Sequence, residues 1–168
     1  MQVDINETPW PLETERHVTR LLIYYCHLVD SGAVDRIAAE VFAADAIADF
    51  QGHIWMGRTE IGDYLMANVP RYKVTAHTLS NVWFSSCDSD RAVVRSNLTA
   101  WHWWNDEDIE KSGLTNFVQV VQNTDEVQRT SEGWRITKRR TEGIGSPSSL
   151  SLATLPNGLL LEFSDTDN

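Results

Sequence analysis

The sequence predicts an α+β domain in which helices come first and a long antiparallel meander follows. Two observations carry this. Apolar residues recur at helical spacing through the first third of the chain, and beyond Tyr72 they alternate with polar ones in long runs separated by turn-forming clusters.

In the first segment, Val18, Leu21, Leu22, Tyr25, Leu28 and Val29 recur three and four residues apart, one stripe of an amphipathic helix over Leu12 to Asp30. Pro11 stands near its first turn, where a missing N–H costs nothing. Asp30-Ser31-Gly32 breaks the helix, and a second follows with Val34, Ile37, Ala38, Val41 and Phe42 on one face. "AIADFQGHIWMG" reads as two short strands around a turn at Gln51-Gly52. "RTEIGDYLMANV" is a third helix, stopped by Pro70. Four strands come next: "YKVTAHTLSNVWFSS", a turn at "CDSD", "RAVVRSNLTAWHWW", a polar loop "NDEDIEKSG", "LTNFVQVVQNTDEVQRT", a turn at "SEG" and "WRITKRRTEG". Helices then cover one face of a sheet over residues 1–143, and residues 144–168 form an arm whose apolar end "GLLLEF" docks on the body or on a neighbouring subunit.

Composition narrows the function. The 168 residues suit one domain with a sizeable core, and 42% hydrophobic with 23% charged residues is ordinary for a globular chain. Seven tryptophans are not ordinary. A net charge of −10 disfavours nucleic-acid binding, which runs on clustered cations; "RITKRR" alternates within a strand and reads as a solvated face. Cys26 and Cys87 have neither disulfide nor metal spacing and read as free thiols in a reducing compartment. The acidic start "MQVDINETPWP" is not a signal peptide, and no apolar run is long enough for a membrane span. The expectation is a cytoplasmic protein without membrane or nucleic-acid partners.

"LTAWHWWNDED" packs His102 among three tryptophans. With "CDSD" as a four-residue loop, Ser86 pairs with Arg91, His77 lies opposite Ala100 and Thr75 opposite His102. His77, Leu79, Asn81 and Trp83 then share a face with Val94, Ser96, Leu98, Ala100 and His102, a mixture of apolar wall and polar groups that suits a pocket. Asn97 faces the other way. Asp30, at the end of the first helix, is either a turn former capping the next helix or a third polar group of that pocket. A two-histidine, one-carboxylate metal site is a further possibility on ligand count.

The order "HLVDSGAVDRIAAEVFAADA", F-x-G, G-x-x-x-I-x-x-Y, "AHTLSNVWF", "DRAVVRSNLTAW" and "DEVQRTSEGWRITKRR" resembles the SnoaL-like branch of the nuclear-transport-factor-like superfamily from Glu13 to Glu142. The resemblance implies a cone: a strongly curved mixed sheet and about three N-terminal helices enclosing a pocket. It is similar to the scytalone dehydratases and lindane dehydrochlorinases, cofactor-free lyases that use an Asp–His pair. It therefore implies Asp30, His77 and His102 as catalytic, Arg129 as a pocket arginine, and no metal or organic cofactor. Tyr25, Phe50, Tyr64, Asn81 and Leu98 complete the expected substrate pocket. Where scytalone dehydratases place two tyrosines that polarise a carbonyl, Val29 and Phe50 stand here, so the substrate differs. The implied function is a dehydratase-like lyase or an isomerase acting on a hydrophobic, aromatic or polycyclic small molecule, in a homo-oligomer with a trimer favoured over a dimer. The chain also resembles the non-catalytic β subunits of ring-hydroxylating dioxygenases, and a ligand-binding domain is the remaining alternative.

Overall fold

A computed structural model describes residues 10–113 and 115–149. Helix α1 (Leu12–Asp30) buries Thr14, Val18, Leu21, Leu22, Cys26, Leu28 and Val29 along its stripe, and Pro11 is its N-cap. Glu13 and Glu15 lie in its first turn, where the helix dipole favours acids. Its end is closed by Ser31, Gly32 and Ala33, whose N–H groups donate to the carbonyls of His27, Val29 and Leu28. Helix α2 (Val34–Val41) buries Val34, Ile37 and Val41. Phe42, expected on that helix, is instead the first residue of β1 (Phe42–Phe50), because the backbone turns extended there while its ring stays fully buried. Strand β2 (His53–Met56) returns beside β1 across the Gln51-Gly52 turn. Helix α3 (Gly57–Asn68) buries Ile61 and Leu65, and Pro70 lies in a single 3₁₀ turn that follows it. Gly62 lets α3 approach α2 closely: a Cβ there would lie 3.0 Å from that of Ala38.

The rest is mainly sheet: β3 (Tyr72–Cys87), β4 (Arg91–Trp104), β5 (Phe117–Thr130), β6 (Gly133–Gly143) and the short β7 (Ser148–Ser149). The order is β2-β1-β6-β5-β4-β3, with β7 paired to β5; β1 and β6 run parallel and the other pairs antiparallel. This is the curved, open mixed sheet of an α+β cone. Helix α1 packs chiefly on β3, while α2 and α3 pack on each other and on β1. The start of the C-terminal arm thus folds back on its own sheet; the "GLLLEF" end lies outside the described residues. The polar loop expected between β4 and β5 contains a helix, α4 (Asp106–Ser112). Its signals are local: Asn105 as N-cap, three acids in the first turn, Lys111 in the last, and Gly113 in the left-handed region.

Two features of the sheet depart from simple alternation. The β3–β4 pairing is irregular at three places, and at the hairpin tip Ser86 lies opposite Val93 rather than Arg91. Irregularities between Ser80 and Trp83 and between Phe84 and Ser86 absorb that offset, so that Thr75 still faces His102 and His77 still faces Ala100. Secondly, the "RITKRR" segment is not a uniformly solvated face. Lys138 and Arg140 are exposed, but Arg139 turns inward onto Asp125. Nε and Nη2 donate to the two carboxylate oxygens at 2.7 and 3.0 Å, with side chains 3% and 0% exposed. The guanidinium carbon lies 4.4 Å from the centre of the Tyr25 ring. Burial works against the charge, but the adjoining carboxylate outweighs it and raises the Arg139 pKa further.

Removing one partner of such a pair leaves an uncompensated charge in the core. Asp125→Ala is expected to cost about 3–5 kcal/mol, whereas joint replacement by Asp125→Leu and Arg139→Met restores most of the loss. Urea unfolding of the two variants beside the parent chain checks this.

Candidate active site

Asp30 is the last residue of α1, where the carbonyl end of the helix dipole disfavours an acid by about 0.3–1 kcal/mol. Its carboxylate does not cap α2, whose N-cap is Ala33 without a side-chain bond. It reaches across to β3 instead. The His77 backbone N–H donates to Oδ2 at 2.8 Å, the Thr75 hydroxyl donates to Oδ1 at 2.8 Å, and His77 Nδ1 lies 2.6 Å from Oδ1. A hydrogen bond to an ionised group contributes about 1.5–3 kcal/mol, so these three contacts outweigh the dipole. The alternation of β3 puts Thr75 and His77 on one side, and the break at Ser31-Gly32 leaves Asp30 as the helix's final side chain facing them.

His102 occupies the next strand. Its ring centre is 5.7 Å from that of His77, with the planes at 88°. It stacks on Phe117 at 4.5 Å and meets Tyr72 at 4.5 Å. Burial, reinforced by the neighbouring His77, pushes its pKa down to about 4; the Ala100 backbone and the Asp30 charge oppose this less strongly. His102 is therefore a neutral imidazole near pH 7, and its Nδ1 is buried without a hydrogen-bond partner among the described residues.

Behind the pair lies an apolar wall. Leu98, Val121 and Cys26 form a buried cluster joined by Tyr25 and Leu79. Burial pushes the Cys26 thiol up to about 11, which keeps it protonated and inert. Of the expected pocket residues, Leu98 belongs to this cluster and Tyr25 packs against it. Phe50 and Tyr64 lie together at 5.2 Å, with Trp55 against Tyr64 at 4.8 Å, a three-ring stack from β1, α3 and β2.

Two expected pocket residues are not there. Asn81 sits in the irregular stretch of β3 with φ of 50°; it is exposed, and Val82 and Phe84 pack against the core in place of Asn81 and Trp83. Arg129 pairs with Trp134 beside the β5–β6 turn, at the opposite end of β5 from Phe117, the partner of His102. There it lines an outer groove of about 970 Å³ along α1, with Arg20, Tyr24, Trp134 and Arg135. The arginine that the fold does bury is Arg139. Thr75 and Tyr72 are the site residues that alternation did not reveal. Thr75 sits two residues from His77 on the same face, which is a usable signal; Tyr72 has the wrong parity and needs a bulge to join them. Among the described residues, no cluster of three or more His, Cys, Asp or Glu side chains is arranged to hold a metal, and no helix is long and apolar enough to cross a membrane.

Solved structures share this architecture. A candidate scytalone dehydratase of Novosphingobium aromaticivorans is 20% identical over 84% of this chain and 90% of its own, with a TM-score of 0.72. A candidate aromatic ring hydroxylase of the same species is 23% identical over 83% and 95%, with a TM-score of 0.71. A hexachlorocyclohexane dehydrochlorinase of Novosphingobium barchaimii is 17% identical over 83% and 92%, with a TM-score of 0.69. At these identities the likeness is one of fold. No curated protein sequence matches the chain. The SnoaL-like domain family matches residues 10–140, and the chain belongs to that family.

Proposed function

We propose that this protein is a cofactor-independent lyase or isomerase that uses an Asp30–His77 general base on a hydrophobic, planar small molecule. The observation that carries the reading is the 2.6 Å contact between Asp30 Oδ1 and His77 Nδ1, with His102 beside it. Nδ1 carries the proton and donates to the carboxylate, which leaves Nε2 with a free lone pair. Nε2 takes a proton from a carbon next to a carbonyl. The C–H electron pair moves into an enolate, and Asp30 stabilises the imidazolium that forms. His102 is neutral, so it serves as a hydrogen-bond donor to the developing oxyanion rather than as a cationic acid. The enolate then either expels a group from the adjacent carbon, giving a lyase, or takes the proton back at another carbon, giving an isomerase. The dehydratase and dehydrochlorinase among the fold relatives favour the first course.

A positioned base contributes about 10²–10⁴ in rate. Exchange of the α-protons of aryl ketones in D₂O, followed by NMR, reads the first step without a known leaving group. Asp30→Asn and His77→Gln are expected to slow exchange by about that factor while the circular dichroism spectrum shows the fold retained; unchanged exchange would favour a ligand-binding or partner-subunit role.

His102 also ties stability to pH. Its folded-state pKa of about 4 lies below the ordinary 6.5, so the unfolded chain binds more protons between those values. Stability should fall as pH drops from 6.5 towards 4, with no contribution above 6.5. Melting curves across that range should be flatter for His102→Phe than for the parent chain.

The working unit in this reading is a homo-oligomer, a trimer ahead of a dimer. Support comes from large apolar side chains left exposed on the single chain, among them Ile54, Met56, Val74 and Trp83. Light scattering coupled to size-exclusion chromatography should return a multiple of the 19.1 kDa chain mass, and a monomer would exclude it.

A further inference from the structure

We infer that Tyr72 is a further catalytic residue, and that its phenolic O–H holds the oxygen of a flat, conjugated enolate while His77 holds the proton. The inference deepens the general-base reading and rests on it.

Backbone geometry is the first support. Thr75, His77 and Leu79 alternate onto the inner face of β3, and continuing that alternation backwards would send Tyr72 outward. The register shift between Tyr72 and Val74 reverses this. Tyr72 pairs with Trp104, which shares the face of His102, while Val74 is left 54% exposed. A bulge costs ladder hydrogen bonds, and bulges beside active sites commonly serve to re-aim one side chain. Here the side chain re-aimed is the tyrosine.

The second support is what surrounds it. The Tyr72 ring lies 4.5 Å from His102, 4.5 Å from Trp104 and 6.2 Å from Phe117. Arg71 caps the Trp104 ring at 5.0 Å. These rings, tilted against one another, make an aromatic surround for His102 of the kind a conjugated substrate packs against. The other inner tyrosines are differently employed: Tyr25 lies over the Arg139 guanidinium, and Tyr64 is stacked between Phe50 and Trp55. Tyr72 is the tyrosine in ring contact with His102. Burial raises its pKa, so the phenol is a donor at neutral pH, and it makes no side-chain hydrogen bond within the described residues. An enolate oxygen between Tyr72 and His102 would accept from two neutral donors aimed at the place where the charge develops. Because an enolate delocalises its charge only when planar, the substrate class that fits is a conjugated or aryl ketone.

2-Naphthol mimics that enolate, being flat with an ionisable ring oxygen. On binding, its proton passes to His77 Nε2 and the naphtholate oxygen accepts from Tyr72. Binding is titrated through the red-shifted absorption of naphtholate, with the wild-type chain, Tyr72→Phe and His77→Gln. Tyr72→Phe keeps the ring against His102 and removes only the donor. We expect it to bind about ten- to a hundredfold more weakly, with a smaller bound fraction ionised. His77→Gln should abolish the naphtholate band. Equal affinity and an equal band in Tyr72→Phe would overturn the role of Tyr72 while leaving the base intact. A band that survives in His77→Gln would overturn the general-base reading itself. Failure of the wild-type chain to bind 2-naphthol would overturn the substrate class.

Discussion

The contact between the last side chain of α1 and the middle of β3 is the constraint on which the rest turns. Asp30 accepts from a hydroxyl, a backbone N–H and an imidazole, all on one strand. A single acid thus joins the helical layer to the sheet, orients His77 and selects its tautomer. The unfavourable dipole at that helix end is the cost of placing a charge where the sheet can reach it. The tight turn through Ser31, Gly32 and Ala33 stops the helix there, so that one more or one fewer residue would swing the acid away from β3.

Around that contact the inner face is graded. Cross-strand partners form successive rows: Phe117, His102 and Thr75; then Gln119, Ala100 and His77; then Val121, Leu98 and Leu79. Deeper along β5 come Asn123, which accepts from the Thr141 hydroxyl, and Asp125 with Arg139. The two histidines lie towards one end of the strands and the satisfied polar pairs nearer the core, with an apolar row between. Separation of this kind keeps the Arg139 charge on Asp125 and leaves Asp30 to His77.

Much of this was legible in the chain. The stripe from Val18 to Val29 gave α1, and the alternation from Thr75 to Leu79 and from Val94 to His102 put both histidines on one side. What escaped has two causes. Asn81 and Trp83 were misplaced, and Tyr72 was passed over, because a bulge changes parity without a reliable sequence mark, and the left-handed backbone at Asn81 is only weakly signalled by its residue type. Arg129 and Arg139 could not be ranked by pattern, since both alternate within strands. What separates them is the acid opposite: Asp125 across from Arg139, and Trp134 across from Arg129. The site's register was right although the hairpin tip was two residues out, because the two irregular stretches of β3 compensated an error in the assumed loop.

Those irregular stretches also divide the hairpin into two mechanical parts. Between Ser80 and Ser86, β3 spends two more residues than β4 does opposite it, so the register at the Asp88–Asp90 turn differs from that at His77. The pairing that sets the turn is therefore separate from the pairing that sets the spacing of His77 and His102. One hairpin thus carries two registers, one closing its tip and one facing Asp30.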